Sequence, residues 1–411
     1  MSSANPQGLQ TIPDALQDRE AWLEPFDWYA EMREQSPVRY DPARDTWDVF
    51  RYEDVKSVLA DDETFSANPR ELSDFQEPEG PGQGLIFETM LFQDPPRHDA
   101  LRGVVDDAFD PRAVRDLEPR IRELTTELLD DALADGATEL DVVADLAYPL
   151  PVIVIAELLG VPAERREQFK EWSDTLVSAA SAREDTAEYL ERQQEIQMEM
   201  ATYFMDLIEA RREDPRDDLV SEIVTAELPD GSQLSQQEAL GTCMLLLIAG
   251  NVTTTNLVTN AVRCFADEGA LDAVRGDERA LRSAIEEVLR YRSPVQAMTR
   301  AARTETTIGG EKIAAGDRIA VWLGSANRDE GQFPDADQFV PDRSPNQHLG
   351  FGHGTHYCLG APLARLEANV ALGELLDRIA AVEIAADELQ PLRSSFIYGV
   401  ESLPIRFERV D

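Results

Sequence analysis

The sequence predicts a mainly α-helical fold with small β-sheets, an α+β architecture. Apolar residues recur at three- and four-residue spacing over most of the chain after about Pro96, the pattern of helices with one buried face. Strict alternation, the mark of half-buried strands, is confined to short stretches mainly near the ends. The 411 residues contain no internal repeat and no low-complexity linker. Length alone suggests roughly two to three domains, with one large helical domain as the other option.

In chain order, Val38–Tyr40 and Thr46–Phe50 predict an early hairpin. Asn68–Gly84 is rich in proline, glycine and acid; its Gly-Pro-Gly-Gln-Gly run is too irregular for a phosphate loop and reads as a mobile lid. Asp145–Pro162 has the composition of a buried helix. Ser235 followed by Glu238 has capping-box spacing and opens a helix expected to run to about Ala266. Short strands are predicted at Thr307–Ile308, Arg318–Val321 and Ile405–Phe407, and a helix at Ala361–Leu376.

Eighty acidic residues against 38 basic ones give a net charge of −42, spread over the whole chain. Such a surface repels itself and nucleic acid alike. Near 1 M salt the Debye length falls to about 3 Å and the repulsion is screened. Lys56, Lys170 and Lys312 are the only lysines; acidic excess with arginine in place of lysine resembles proteins of salt-accumulating halophiles and implies a saline cytoplasm. No apolar run reads as long and uncharged enough to span a bilayer, and the N-terminus lacks a signal-peptide pattern. The three cysteines, Cys243, Cys264 and Cys358, form no even-numbered disulfide framework, which fits a reducing compartment.

The chemistry is concentrated in Phe351-Gly-His-Gly-Thr-His-Tyr-Cys358-Leu-Gly360, directly before the last predicted helix. A thiolate there can be stabilised by a metal, a cation or the N–H groups of a helix start. Gly352 and Gly354 permit a tight turn, and Gly360 lets the backbone approach a flat ligand. Phe351 is placed to cover that ligand and His356 to reach its edge. Two other readings stand beside this one: a buried structural cysteine, and a zinc site built from His348, His353, His356 and Cys358, for which the usual second ligand pair is missing.

The segment resembles the cysteine-ligand signature of the cytochrome P450 family, Phe-x-x-Gly-x-His/Arg-x-Cys-x-Gly, and the likeness extends from about Asp27 to the end. The resemblance implies one P450 domain over residues 1–411, with 1–26 a poorly ordered leader, and haem b held between the long oxygen-side helix and the cysteine-loop helix. It implies Cys358 as axial iron ligand. Phe351, Gly352 and Gly360 would contact the haem, and His98, Arg102, Arg300 and His356 its propionates. Glu287, Arg290 and Arg343 would brace the loop. Ala249-Gly-Asn-Val-Thr253 occupies the place of the family's Ala-Gly-x-Asp/Glu-Thr, so Gly250 and Thr253 would act at the oxygen-binding face. Val252 replaces the acid, leaving Thr253, Asn251 or water to relay protons. By family position the pocket would include the Asn68–Phe92 loop, Met244, Ile248, Val252, Val295, Gln296, Met298, Phe396 and Ile397, with Gln296, Ser395 or Tyr398 available to orient a polar group. The implied activity is insertion of one oxygen atom of O2 into a hydrophobic small molecule. Electrons would come from a separate ferredoxin-type donor docked on Arg97, Arg112, Arg115 and Arg365. The alternatives are a peroxide-driven or rearranging haem-thiolate enzyme, or a haem-based sensor.

Overall fold

The computed structural model describes residues 12–77, 84–165, 168–169, 172, 187–392, 394 and 396–410. Four helices frame the site: α1 (Arg97–Arg102), α2 (Gln236–Asp267), α3 (Glu278–Tyr291) and α4 (Ala361–Arg378). A five-stranded sheet flanks them, with β1 (Val38–Asp41), β2 (Thr46–Val49), β3 (Phe65–Ser66), β4 (Ala297–Ala302) and β5 (Arg318–Trp322) in the order β1-β2-β5-β4-β3. The predicted hairpin is β1–β2, paired Val38 with Val49. Strand β2 then runs parallel to β5, and β4 lies antiparallel to β5 with Met298 opposite Val321. Thr306–Ile308 and Glu311–Ile313 make a two-stranded ribbon. Its Gly309-Gly310 turn has both φ angles positive, the conformation tight hairpins require. Pro404–Arg409 pairs with both Glu139–Asp141 and Ile379–Ile384.

Helix α2 starts at the predicted capping box: Ser235 Oγ accepts from the Glu238 N–H, and Glu238 accepts from the Ser235 N–H. Its length comes from the apolar run Met244–Ile248 and from neighbours on nearly every side. It packs against α4, Pro149–Leu158 and Ala187–Glu213. Contrary to the reading from composition, α2 is long and apolar enough to cross a membrane. However, 67 % of its most apolar window is buried inside the protein, as befits a core helix. Gly241 admits the neighbouring turn Leu85–Glu88: a Cβ there would lie 2.9 Å from the Leu85 carbonyl oxygen.

The leader reading is corrected for residues 12–26. Leu16 and Trp22 are buried, and the Trp22 indole N–H donates to the Leu392 carbonyl at 2.7 Å. Glu24 accepts from Arg292 at 3.0 Å and also pairs with Arg263. Two apolar anchors and a carboxylate that neutralises two buried arginines tie this segment down. Residues 1–11 lie outside the described residues, as do 78–83 of the predicted lid. The described flank of that loop is fastened to the sheet side: the Ser73 N–H donates to Gly316 O at 3.0 Å, and Arg318 donates to Asp74 at 3.0 Å.

A cavity between two helices and the cysteine loop

A cavity separates α2 from the N-terminal half of α4, and the cysteine loop closes one side of it. Gly352 (φ 75°) and Gly354 (φ 71°) are both left-handed, and a Cβ on Gly354 would come within 2.5 Å of the Leu59 carbonyl oxygen. That turn brings the Cys358 N–H to the Phe351 carbonyl at 2.9 Å and aims the sulfur at the cavity. Burial raises the thiol's pKa. The N–H groups of Gly360 and Ala361 and the guanidinium groups of Arg102 and Arg365 pull it the other way, because each favours the thiolate. A Cβ on Gly360 would meet nothing within 4 Å, so beside the sulfur the backbone itself forms the cavity wall. Across the cavity, the nearest neighbour of a Cβ on Gly250 would be Ile155, at 3.9 Å.

One rim collects positive charge. His98 and Arg102 come from α1, His356 from the cysteine loop and Arg300 from β4. Alternation along β4 puts Arg300 on the same face as Met298, which lines the cavity. The His98 and His356 rings meet edge to face with centroids 4.4 Å apart. Arg102 is anchored by donating to the Tyr357 carbonyl at 2.6 Å. Arg300 Nη2 and His356 Nε2 are buried without a hydrogen-bond partner among the described residues. Burial, reinforced by Arg300, His98 and Arg102, drives His356 down to about 2. Burial lowers Arg300 to about 10, with Asp94 opposing. An unpartnered buried guanidinium nitrogen beside an unpartnered ring nitrogen favours an anionic, hydrogen-bonding ligand at this rim. A flat ligand carrying carboxylates on one edge, with an iron at its centre for Cys358, satisfies the wall, the rim and the sulfur together. Among the described residues no group of three His, Cys, Asp or Glu side chains could hold a bare metal ion, so the geometry gives the zinc reading no support.

Behind the loop lies a buried ionic brace. Arg290 makes two hydrogen bonds to Glu287, each 2.8 Å, and Arg343 donates to both Glu287 oxygens at 3.0 and 3.1 Å. Arg290 also donates to the carbonyls of Asn327 (2.8 Å), Ala336 (2.7 Å) and Gln338 (2.9 Å). Asn327 Oδ1 in turn accepts from the Leu349 N–H at 2.7 Å, which connects the brace to the start of the cysteine loop. Sequence reasoning missed a second brace. Glu286 accepts from Arg365 at 2.6 and 2.9 Å and pairs with His348 at 3.0 Å, while His348 Nδ1 accepts from the Gly350 N–H at 3.1 Å. Burial alone would raise Glu286, but hydrogen bonds from His348 and Arg365 bring it down to about 2. Arg365 also lies 4.5 Å over the Phe351 ring. The spacing of Glu286 from Glu287 held the only signal, since adjacent helical residues point in different directions.

The opposite wall departs from expectation. At 3.6 residues per turn, Leu246, Ala249, Gly250, Thr253 and Leu257 form a stripe facing the cavity. Thr253 Oγ1 donates to Ala249 O at 2.9 Å, keeping its lone pairs available. Met244, Ile248 and Val252 fall outside that stripe and do not line the cavity; Leu245 and Leu246 do. Asn251 is on the far side of α2, fully buried, and its Oδ1 accepts from Thr255 at 3.2 Å, so it cannot relay protons into the cavity. Val295 and Met298 line the cavity as expected, whereas Gln296, Phe396 and Ile397 do not. Gln296 is held between the Tyr29 hydroxyl (2.8 Å) and the Ser293 carbonyl (2.6 Å). Phe396 packs into the cluster around Trp22 and Trp322, and Ile397 is spent on a bridge to Val295. Tyr398 is withdrawn too, bonded to Arg263 (3.0 Å), Arg292 (2.8 Å) and Leu23 O (2.8 Å). Ser395 lies outside the described residues. Met90 and Leu91 line the cavity from the Asn68–Phe92 loop as expected, and more of the wall comes from Pro151 and Ile155, whose segment read only as a buried helix, and from Phe109, Leu289, Pro294 and Leu323.

The proposed basic island also shrinks. Arg97 is paired with Glu238 and Arg365 with Glu286, which leaves Arg112 and Arg115 exposed beside Asp110. Asp110 caps their short helix by accepting from the Arg112 and Ala113 N–H groups.

A cavity with a cysteine sulfur on one wall and an apolar, threonine-bearing helix on the other is one that a haem-thiolate protein would present. The comparisons agree. The family model described as "Cytochrome P450" matches residues 279–394. "Cytochrome P450 109" of Bacillus spizizenii is 42 % identical over 411 residues, covering 98 % of this chain and 97 % of that one. The "Erythromycin C-12 hydroxylase" of Saccharopolyspora erythraea is 41 % identical, covering 92 % and 94 %. The structure of CYP109E1 from Bacillus megaterium in complex with corticosterone superposes with a TM-score of 0.84 at 41 % identity, covering 94 % and 99 %. The chain belongs to the cytochrome P450 family. It is a haem b-dependent monooxygenase that acts on small molecules with electrons from a separate redox partner.

Proposed function

We propose that Cys358 is the axial ligand of the haem iron, that Phe351, Gly352 and Gly360 shape its face, and that His98, Arg102, Arg300 and His356 hold its propionates. The observation that carries this reading is the convergence of the Cys358 sulfur, the side-chain-free wall at Gly360 and the unpartnered His356 Nε2 on one cavity, with Arg300 Nη2 likewise unpartnered among the described residues on the strand face that carries Met298. When bound there, the haem supplies activation of dioxygen. The chain's own residues do the rest. The two ionic braces hold the sulfur in place, and the Gly360 and Ala361 N–H groups stabilise its charge. The apolar wall of Leu245, Leu246, Val295 and Met298 excludes water and selects a hydrophobic substrate. Gly250 would leave room over the cofactor, and Thr253, whose O–H donates to the Ala249 carbonyl, would accept a hydrogen bond from a cavity water on its free lone pairs and hold that water in place.

The test is an absorption spectrum of the purified protein, reduced with dithionite and exposed to carbon monoxide. A strongly red-shifted thiolate-type Soret band in the wild type, lost in Cys358→Ala, is the expected result. Its absence from a folded, haem-loaded wild type would refute Cys358 ligation. Corticosterone, held by the CYP109E1 structure, is a suitable first probe of the apolar wall.

The domain is one unit spanning the chain, and the electron donor is a ferredoxin-type protein that meets the exposed Arg112 and Arg115. The protein works in a saline cytoplasm, a reading supported by the net charge of −42. Tm is expected to rise by several degrees between dilute buffer and molar potassium chloride as surface repulsion is screened; a flat Tm would count against the saline setting. Val252 favours one further reading, a peroxide-driven reaction that needs less proton delivery. Full activity with peroxide and none with a ferredoxin pair would select it.

A further inference from the structure

The N-terminal segment reaches the cavity wall through one residue, Tyr398. Its hydroxyl donates to the Leu23 carbonyl at 2.8 Å and accepts from Arg263 of α2 at 3.0 Å and from Arg292, the residue after α3, at 2.8 Å. That uses all the hydrogen bonding a phenol has. Glu24 stands beside it, accepting from the same Arg292 nitrogen at 3.0 Å and pairing with Arg263. Both guanidinium groups are buried, and Asp267, 3.5 Å from Arg263 and 3.4 Å from Arg292, completes a set of two carboxylates and two cations. The Tyr398 backbone is committed as well: its N–H donates to the Pro294 carbonyl at 2.8 Å, and its carbonyl accepts from Asn260 Nδ2 at 3.3 Å. The preceding Ile397 bridges Val295. Pro294 and Val295 line the cavity. The wall that meets a ligand is thus tied to Tyr398, and Tyr398 to residues 23 and 24.

We propose that Glu24 and Tyr398 are positioning residues for the substrate: together they hold Pro294 and Val295 at contact distance from a bound apolar molecule, so that the N-terminal segment sets ligand selectivity without entering the cavity. The segment does not need this polar hub to stay in place. Leu16 and Trp22 are already buried, and the Trp22 indole N–H holds the Leu392 carbonyl at 2.7 Å. What the hub adds is the position of Tyr398. Without the Glu24 charge, Arg263 and Arg292 share Asp267 alone, and their hold on the Tyr398 hydroxyl weakens, because members of a buried network support one another. A wall that gives way by about 0.5–1 Å forfeits roughly a quarter to a half of its dispersion contact with the ligand. Tyr398 therefore acts from behind the wall rather than by orienting a polar group of the substrate.

The inference rests on the haem-thiolate reading, and the experiment separates the two. The holoenzymes compared are the wild type, Glu24→Gln and Tyr398→Phe, each giving the carbon monoxide band. Glu24 is half exposed, so its variant keeps the test open if Tyr398→Phe does not fold. The ferric proteins are titrated with imidazole, which needs only the iron, and with 1-phenylimidazole, whose aryl ring must also pack on the apolar wall. Both variants should bind imidazole within about twofold of the wild type and 1-phenylimidazole about three- to tenfold more weakly. Hydrogen exchange should quicken in the peptides that hold Gln296 and Tyr398, and not in those of the cysteine loop or of residues 249–257. An unchanged ratio of the two affinities, or an equal loss for both azoles, would overturn the proposal, because a merely structural role does not move that ratio. A changed ratio without faster exchange at Gln296 and Tyr398 would overturn it too, by placing the effect elsewhere. A folded, haem-loaded wild type without the carbon monoxide band would overturn the haem-thiolate reading, and the proposal with it.

Discussion

The two walls of the cavity are built on different principles. Behind the cysteine loop nearly every polar atom has a designated partner. Glu287 alone accepts from Arg290, Arg343, the Val340 N–H and Asn346, and it is fully buried. On α2 the cavity-facing stripe is apolar apart from Thr253 and Thr254, and the polar residues Asn251, Asn256 and Asn260 are turned into the core. A satisfied charge network tolerates almost no change, because removing one member strands the others in low dielectric. An apolar wall can exchange side chains of similar volume at small cost. The cysteine side is therefore the fixed frame, and the α2 side is where side chains can be exchanged and substrate preference can change.

Breaking the frame should have the largest effect. Glu287→Gln leaves Arg290 and Arg343 without their shared carboxylate and should cost about 3–5 kcal/mol. Denaturant unfolding, together with the haem content of the purified variant, measures it; a loss below about 1 kcal/mol would mean that the network does not define the frame.

The rim gives a sharper comparison. Arg300→Leu removes a buried cation that has no ion pair among the described residues and only a distant carboxylate in Asp94, so the haem-free protein should be as stable as the wild type or more so. Haem affinity should fall about 10- to 100-fold, corresponding to roughly 1.5–3 kcal/mol for a charged hydrogen bond. Melting curves with and without haem, and haem transfer to a competing acceptor, test the two halves separately. Destabilisation of both forms alike would make Arg300 a packing residue.

The smallest effect belongs to the second brace. Glu286 is held near 2 in the folded protein, below its unfolded value of about 4.3. Its contribution is therefore complete above about pH 4.3 and is lost as pH falls toward 2. Glu286→Gln should flatten that limb of the stability profile by less than about 1 kcal/mol, because the carboxylate is partly open to solvent. Tm between pH 5 and pH 3 for variant and wild type decides it; parallel curves would remove Glu286 from the account.

Much of this was legible before any coordinates. The mainly helical class, the hairpin at Val38, the capping box at Ser235 and the residues of the Cys358 loop follow from local spacing and turn chemistry, which act within a few residues and leave a mark in the chain. Glu287, Arg290 and Arg343 were identified through resemblance to a family, and the structure showed the bonds they make. What could not be read depended on rotation and distance. Val252 and Asn251 sit one and two positions from Thr253, yet α2 turns one to the edge of the cavity stripe and the other to its back. Gln296 has the same parity along the chain as Met298, but Tyr29, 267 residues away, claims its amide. The anchoring of residues 12–26 by Arg263, Arg292 and Leu392 is likewise a product of long-range packing. Sequence determined which chemistry this protein carries, because a cysteine loop and a helix cap are local. Tertiary structure decided which side chains take part, because a helical face has a direction only once its neighbours are in place.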